Sequence, residues 1–345
     1  MRSGNVNVAI ARPPIAIRLS RRTLSIVLLA AAAALGLSLW ALTLGEFPLS
    51  VADVVRAIAQ EVAGPAEFIV GTVRMPRVLV ALGVGFGLAA SGAIFQGLVR
   101  NPLVSPDIIG VNAGASLAAV FFIVTRGPMA LVPLAAFVGA LAAAFGVYAL
   151  SWRSGITGDR LVLVGIGINA LATAATTFLI VRFPIEVVAS AEQWLAGTLY
   201  GRGWEHVAYI GYALVLLVPL AMWLSSRLRS LQLGDDVAGS LGVRPEASRV
   251  LLIVVGSALA AAAVAAAGPI GFVALIVPHI ARMLVGSFTA GVLLVTGILG
   301  GIVVLLADVV AQNAFLPITV PAGVVTAAIG APYFMFLLYR SHHRI

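Results

Sequence analysis

Two residue types are missing from this 345-residue chain: it has no cysteine, and all 21 of its basic residues are arginine. Without cysteine, the chain cannot form disulfides, thiolate metal sites or a thiol nucleophile. Without lysine, it cannot carry a P-loop, whose lysine contacts the nucleotide phosphates, and it cannot form a Schiff base. If ATP drives this protein, another chain must hydrolyse the ATP.

Charge is also scarce. Only 10% of the residues are charged, whereas 61% are hydrophobic, and the mean hydropathy is +1.10. A soluble domain needs far more polar surface than this, and the apolar runs repeatedly reach the length that crosses a bilayer. The composition therefore predicts an all-α polytopic membrane protein with about ten transmembrane helices, near residues 23–44, 77–98, 107–125, 129–151, 160–181, 206–226, 249–267, 271–286, 291–313 and 320–339.

The arginines predict which ends of these helices face the cytoplasm. Placing the N-terminus inside puts fifteen of the 21 arginines on the cytoplasmic side and six on the other side, in agreement with the positive-inside rule. Residues 1–22 then form a basic cytoplasmic segment, and residues 23–345 form one transmembrane domain with a long cytoplasmic loop near 227–249. Because the number of spans is even, the C-terminus is also predicted to be cytoplasmic.

Small residues cluster within the predicted spans, as at 83–87 and 297–301. In lipid, such clusters let helix backbones approach each other closely, so these segments are predicted to be helix contacts. Two glycine clusters, at 85–90 and 165–170, also match a dinucleotide-binding pattern. Neither cluster follows a predicted strand, and the packing interpretation is therefore preferred.

Two charged features lie near the predicted outer ends of the spans. Pro76 suits a helix start and would leave Arg74 and Arg77 displayed at the mouth of the second span. These arginines are either interfacial anchors or a docking point for an acidic partner, and positive charge on the outside, which opposes the topology rule, favours docking. Late in the ninth span, Asp308 must face protein or water, because a charge in hydrocarbon costs about 2.5–3.5 kcal/mol.

Two prolines four residues apart, Pro102 and Pro106, lie between the second and third spans, just after Asn101. One interpretation is a plain turn on the inside, in which Ser105 and Asp107 supply the cap and first turn of the next helix. The other is a broken helix that lines a cavity, since irregular backbone at membrane depth occurs mainly in that setting.

A third irregular segment covers residues 268–282, which begins with Gly268 and Pro269 and carries a second proline, Pro278. Pro278 cannot donate to the carbonyl four residues back, so a kink or break near 274–278 is expected. His279 and Arg282 are three residues apart and should share one face of the turn that follows.

The long cytoplasmic loop contains a short predicted helix. Two aspartates favour a helix N-terminus, and the glycine at the far end suits a C-terminal cap. Two apolar residues four positions apart would form a ridge, which is either part of a solvated turn or a contact for a soluble partner. The partner is favoured, because a loop that touches nothing has no need of such a helix. The residues assigned to this coupling segment are Gly234, Asp235, Asp236, Val237, Ser240, Leu241 and Gly242.

Together, these motifs resemble the FecCD family, the permease subunits of bacterial ABC importers for iron-siderophores, haem and cobalamin. The resemblance spans about 44–340 and rests on segments 74–77, 97–103, 234–243, 268–282 and 321–332. It implies the type II ABC importer permease architecture, with no covalent chemistry in this chain. It also implies that the 235–241 helix couples to an ATPase and that Arg74 and Arg77 meet glutamates of a binding protein. The residues assigned to translocation or conformational change are Asn101, Pro102, Pro106, Pro269, Pro278, His279, Arg282 and Asp308.

The resemblance further implies the partners. They are a second permease subunit, identical or paralogous, two cytoplasmic ATPase subunits that bind ATP and Mg²⁺, and an extracytoplasmic substrate-binding protein. The chain itself is expected to lie among the lipids of the bacterial inner membrane and to bind no metal, cofactor or nucleic acid. The loop 194–204 resembles siderophore permeases more than cobalamin permeases, so the predicted cargo is a ferric siderophore imported by alternating access.

Alternatives and departures from the family pattern remain. Haem or cobalamin is the alternative cargo, and an ion-coupled secondary transporter built around Asp308 is the main rival class. Relatives often carry an arginine where this chain has Gln312, so no docking role is extended to that position. Many also carry an Asp-His-Arg cluster where this chain reads Ser-Phe-Thr-Ala-Gly at 287–291. The part that this loop plays in ATPase contact is therefore left open.

Overall fold

The computed structural model describes residues 5–10, 15–59, 64–152, 158–286, 289–315 and 318–342. An antiparallel ribbon comes first, with β1 at Asn5–Ile10 paired to β2 at Ile15–Ser20. All other regular structure in these ranges is helical. The helices are α1 (Arg21–Thr43), α2 (Val51–Ile58), α3 (Pro65–Phe68), a π-helical turn (Ile69–Arg74), α4 (Met75–Val99), α5 (Val111–Val124), a 3-10 turn (Met129–Leu131), α6 (Val132–Ser151), α7 (Gly158–Arg182), α8 (Ile185–Leu195), α9 (Trp204–Leu231), α10 (Asp235–Ser240), α11 (Pro245–Ala267), α12 (Val273–Val285), α13 (Ala290–Asn313) and α14 (Ala322–His342).

Apolar helices occupy all ten segments that were predicted to cross the membrane. Within the described ranges, seven are long and apolar enough to span it, namely α1, α7, α9, α11, α13 and the composite helices Pro65–Val99 and Met129–Ser151. Three shorter apolar helices, α5, α12 and the first part of α14, account for the remaining predicted spans. The prediction of an all-α polytopic membrane protein is confirmed. Helix α8 was not predicted.

Helices α4 and α11 lie at the centre of the bundle and are mostly buried, whereas few residues of α1, α7 and α9 are fully buried in the single chain. Helix α4 meets α13 at the predicted glycine patches, where a Cβ on Gly85 would lie 2.1 Å from the carbonyl oxygen of Gly300. It meets α12 as closely, since a Cβ on Gly92 would lie 1.9 Å from the carbonyl oxygen of Ala274. The prediction that these patches are helix contacts is confirmed.

The segment between α4 and α5 consists of turns. Helix α5 begins only at Val111, so the prediction that Ser105 and Asp107 start the next helix is wrong. Gly110 adopts a left-handed φ of +86°, which favours glycine, and its Cα faces the Ile168 side chain of α7. Packing of this segment against α7 therefore outweighs the local capping signal.

The interruption predicted near the second proline of the 268–282 segment lies earlier in the chain. Helix α11 ends at Ala267 and α12 begins at Val273, and α12 then continues through Pro278. Of the kink or break expected at 274–278, the break is therefore wrong in position, and the kink stays a prediction. The irregular backbone is confined to the five residues between the two helices.

Candidate transport and coupling sites

A buried ion pair joins α4 to α13 near the end of the bundle at which α4 begins, here called the Arg77 end. Arg77 donates from Nε to Asp308 Oδ2 and from Nη2 to Asp308 Oδ1, each at 2.8 Å. Gln312, one turn later on α13, donates to Asp308 Oδ2 at 2.8 Å. Asp308 is only 2% exposed and Arg77 is 17% exposed. The sequence left open whether Asp308 faces protein or water. In the structure its side chain faces protein.

Arg74 is also bonded within the chain. Its Nη1 donates to the carbonyl oxygen of Leu42 at 2.8 Å, and its Nη2 donates to that of Phe47 at 2.6 Å. These bonds fasten the start of α4 to the end of α1. The expectation that Arg74 and Arg77 are both displayed is thus wrong for the isolated chain. Their docking role stays a prediction.

Gln96 of α4 holds α12 at its proline. Pro278 has no N–H to offer the carbonyl of Ala274, and the Gln96 amide lies against this part of α12, donating to the carbonyl of Leu275 at 2.9 Å. The same side chain accepts a 2.6 Å hydrogen bond from Arg282 Nη2. Gln96 is 3% exposed, so its amide is fully used inside the protein. One polar side chain therefore links α4 to both ends of the proline turn.

The sequence predicted Pro278 and Arg282 as site residues but missed Gln96. The signal was present, because Gln96 is a lone amide in a long apolar run, and such a group needs a partner in lipid. His279 is partly buried, and no hydrogen bond joins it to another residue in the described ranges.

The loop after α8 packs onto the interruption between α11 and α12. Thr198 N donates to the carbonyl of Ala267 at 2.8 Å, and Gly323 N, at the start of α14, donates to the carbonyl of Gly197 at 2.9 Å. Gly197 has a φ of +68°, and a Cβ there would lie 2.2 Å from the carbonyl oxygen of Pro269. Only glycine fits this position. Pro269, a predicted site residue, thus lies where α11, α12, α14 and this loop meet.

Polar side chains at the end of the same loop and at the start of α9 contact one another. Arg202 Nη1 donates to His206 Nε2 at 3.0 Å, and His206 Nδ1 lies 3.1 Å from Glu205 Oε1. Burial lowers the pKa of the Arg202 guanidinium, and the Glu205 carboxylate opposes that shift. The cluster fixes the loop geometry, because Arg202 Nε also donates to the carbonyl of Thr198.

Helix α10 lies at the opposite end of the bundle, where α4 finishes, here called the Arg100 end. The predicted short helix is confirmed as Asp235–Ser240, and Gly242 follows its last turn. Asp235 is bonded to Arg249 of α11 at 2.6 and 2.8 Å, which holds α10 against α11. Val237 is 43% exposed and Leu241 is 60% exposed. The predicted apolar ridge of Val237 and Leu241 is therefore exposed on the surface of the chain.

A cavity of about 380 Å³, lined partly by polar side chains, lies between the turns after α4 and the helices α5 and α7. Asn101 and Pro102 of these turns are exposed, whereas Pro106 is buried and Asp107 lines the cavity. The segment is a series of turns, and neither of the two prolines is among the residues that line the cavity. The other polar lining residues were not predicted, because they are single amides and hydroxyls scattered along apolar runs: Asn112, Ser116, Asn169, Thr173, Thr176 and Thr177.

Comparison with known proteins gives matches that cover most of the chain. The FecCD transport family matches residues 27–340. The achromobactin transport system permease protein of Dickeya dadantii (strain 3937) is 43% identical over 306 residues, which are 88% of this chain and 87% of that protein. The ferric enterobactin transport system permease protein of Escherichia coli (strain K12) is 38% identical over 329 residues, 95% of this chain and 99% of that protein. A solved structure described as an inward-facing metal-chelate type ABC transporter matches with a TM-score of 0.83 at 31% identity, covering 92% of this chain and 99% of that one.

Proposed function

This chain belongs to the FecCD transport family and is a multi-pass inner-membrane permease rather than an enzyme, and from that premise we propose that it imports a ferric siderophore. The observation that carries the cargo class is the similarity to permeases for achromobactin and ferric enterobactin. We further propose that it works as one of two permease subunits, with two cytoplasmic ATPases and an extracytoplasmic binding protein.

In this proposal the Arg100 end faces the cytoplasm, as do both termini, and α10 contacts the ATPase. The exposed side chains of Val237 and Leu241 would insert into the partner, and the salt bridge from Asp235 to Arg249 would pass its movement to α11. Helix α11 leads to the interruption at 268–272 and then to α12. Because the bonds of Gln96 to Leu275 and Arg282 join α12 to α4, a shift of α11 would be passed through α12 to α4.

The Arg77 end then faces outward and receives the binding protein. Arg74 is the better placed of the two predicted docking arginines, since its partners are neutral backbone carbonyls that water can replace. Arg77 can meet a glutamate of the binding protein only by sharing or leaving Asp308, which would remain buried. We therefore assign initial docking to Arg74, and to Arg77 a contact that depends on movement of α13.

An ion-coupled transporter is less well supported. The acid on which that class would depend, Asp308, is fully engaged by Arg77 and Gln312. A carboxylate held by a guanidinium gives up its bonds poorly and is ill suited to bind and release a coupling ion.

Transport by the reconstituted complex tests the proposed function. The chain is co-purified with its ATPase and second permease, placed in proteoliposomes and supplied with loaded binding protein. We expect radiolabelled iron from a ferric siderophore to accumulate only with ATP, and an ATPase variant lacking its P-loop lysine serves as the control. Accumulation of cobalamin or haem without iron would replace the cargo assignment. Uptake driven by an ion gradient without ATP would contradict the proposed class.

A further inference from the structure

At the Arg100 end, α4 and α9 finish beside each other, and the residue that follows each helix caps the other. Arg100 Nη2 donates to the carbonyl oxygen of Leu231, the last residue of α9. Gln232 Nε2 donates to the carbonyl oxygen of Gly97, in the last turn of α4, at 3.3 Å. The last four carbonyls of a helix have no partner within that helix, so each bond uses a carbonyl that its own helix leaves open. Arg100 and Gln232 are here called the terminal clamp.

The terminal clamp reaches α10 through one carbonyl. The Leu231 carbonyl also accepts a hydrogen bond from Gly234 N at 3.2 Å, and Gly234 directly precedes α10. Ala238 of α10 is fully buried in the apolar cluster that Leu228 and Leu231 of α9 share with α4. Helix α10 is therefore held against α9 and, through Arg100, against the end of α4.

The backbone of Arg100 has a conformation that glycine adopts more easily. Its φ is +58°, in the left-handed region, where the residue that ends a helix is usually glycine. Glycine would make the same turn without the steric cost of a Cβ, but it could not bond to the Leu231 carbonyl. A substitution of Arg100 by glycine therefore separates the turn from the bond.

From these contacts we infer that Arg100 and Gln232 are positioning residues that pass movement of α10 directly to α4, as a second route beside the one through α11 and α12. The inference rests on the proposed function, because it requires α10 to be the ATPase contact. Both routes end on α4, since Gln96, one turn before Arg100, holds α12. Helix α4 is mostly buried, so movement at its end is passed to the centre of the bundle.

Transport by the reconstituted complex tests the inference with Arg100→Gly, which keeps the left-handed turn and removes the bond to Leu231. The complex contains its ATPase, second permease and binding protein. The probes are radiolabelled ferric enterobactin, ferric achromobactin and ferric citrate, and the iron accumulated is measured against the phosphate released.

We expect Arg100→Gly to retain the ATPase, to hydrolyse ATP and to unfold close to the wild-type midpoint, because glycine relieves the left-handed backbone. The iron imported per ATP should nevertheless fall about tenfold, the effect of one hydrogen bond with a charged donor. Gln232→Met, which removes the other bond of the terminal clamp, should lower the same ratio less, because its amide donor is neutral.

Arg126→Gly is the matched control, since Arg126 is an exposed arginine after α5 with a φ of +59°. It should leave the iron imported per ATP unchanged. The inference is overturned if Arg100→Gly imports as much iron per ATP as the wild type, or if its import falls only in proportion to its ATP hydrolysis. If the wild-type complex accumulates none of the chelates with ATP, the proposed function fails and this inference fails with it.

Discussion

Replacing Arg77 with methionine should destabilise the folded permease by about 3–5 kcal/mol, because it leaves a buried carboxylate with no positive partner. Asp308 would keep only the bond from Gln312. Asp308→Asn should cost less, since the stranded group would then be Arg77, which is 17% exposed and can reach water. Denaturant or thermal unfolding of the purified protein in detergent measures both variants.

The double variant Arg77→Met with Asp308→Asn is the control, because it removes both charges and should recover most of the loss. If Arg77→Met is as stable as the wild type and loses only affinity for the binding protein, Arg77 is a docking residue and its pair with Asp308 contributes little to folding.

Adding one methyl group at Gly85 should lower the free energy of unfolding by a similar amount. The Cβ of Gly85→Ala would lie 2.1 Å from the carbonyl oxygen of Gly300 and 2.7 Å from the backbone N of Gly301. These are backbone atoms of α13, so no side-chain rotation relieves the clash and the two helices must separate. We expect a loss of about 3 kcal/mol or more and a low yield of monodisperse protein after extraction.

Gly167→Ala is the matched control for Gly85→Ala, because it makes the same change on a membrane helix where a Cβ meets nothing within 4 Å. Its unfolding midpoint should equal or slightly exceed that of the wild type, since alanine favours the helix. Equal midpoints for the two alanine variants would show that α4 and α13 are packed less closely than the structure has them.

The sequence predicted those features of the fold that depend on local pattern. Apolar runs predicted the positions of the ten apolar helices, seven of which are long enough to span a membrane, and the aspartates and glycine around α10 predicted its limits, because caps act over a few residues. Two predictions failed where a distant contact overrides a local signal. Packing against α7 delays the start of α5 past Asp107, and support from Gln96 lets α12 continue through Pro278.

The site could be predicted only in part for the same reason. The cost of burying Asp308 showed that it must face protein or water, but its partner Arg77 lies 231 positions away in the chain, and no spacing rule identifies it. Gln96 and Asn112 gave a weaker signal, since a single amide in an apolar run is recognisable but its acceptor is not. Partner identity requires the three-dimensional arrangement of the helices.

Copurification with the ATPase tests the coupling role of α10 most directly. The test variant is Val237→Asp with Leu241→Asp, which places charge on two exposed side chains and leaves the Asp235–Arg249 pair intact. Leu241→Met, which keeps the ridge apolar, is the control. We expect the wild type and the control to retain the ATPase, and the double variant to lose it while keeping the same unfolding midpoint. Equal retention of the ATPase by all three proteins, or its absence from all of them, would contradict the assignment of α10 as the coupling helix.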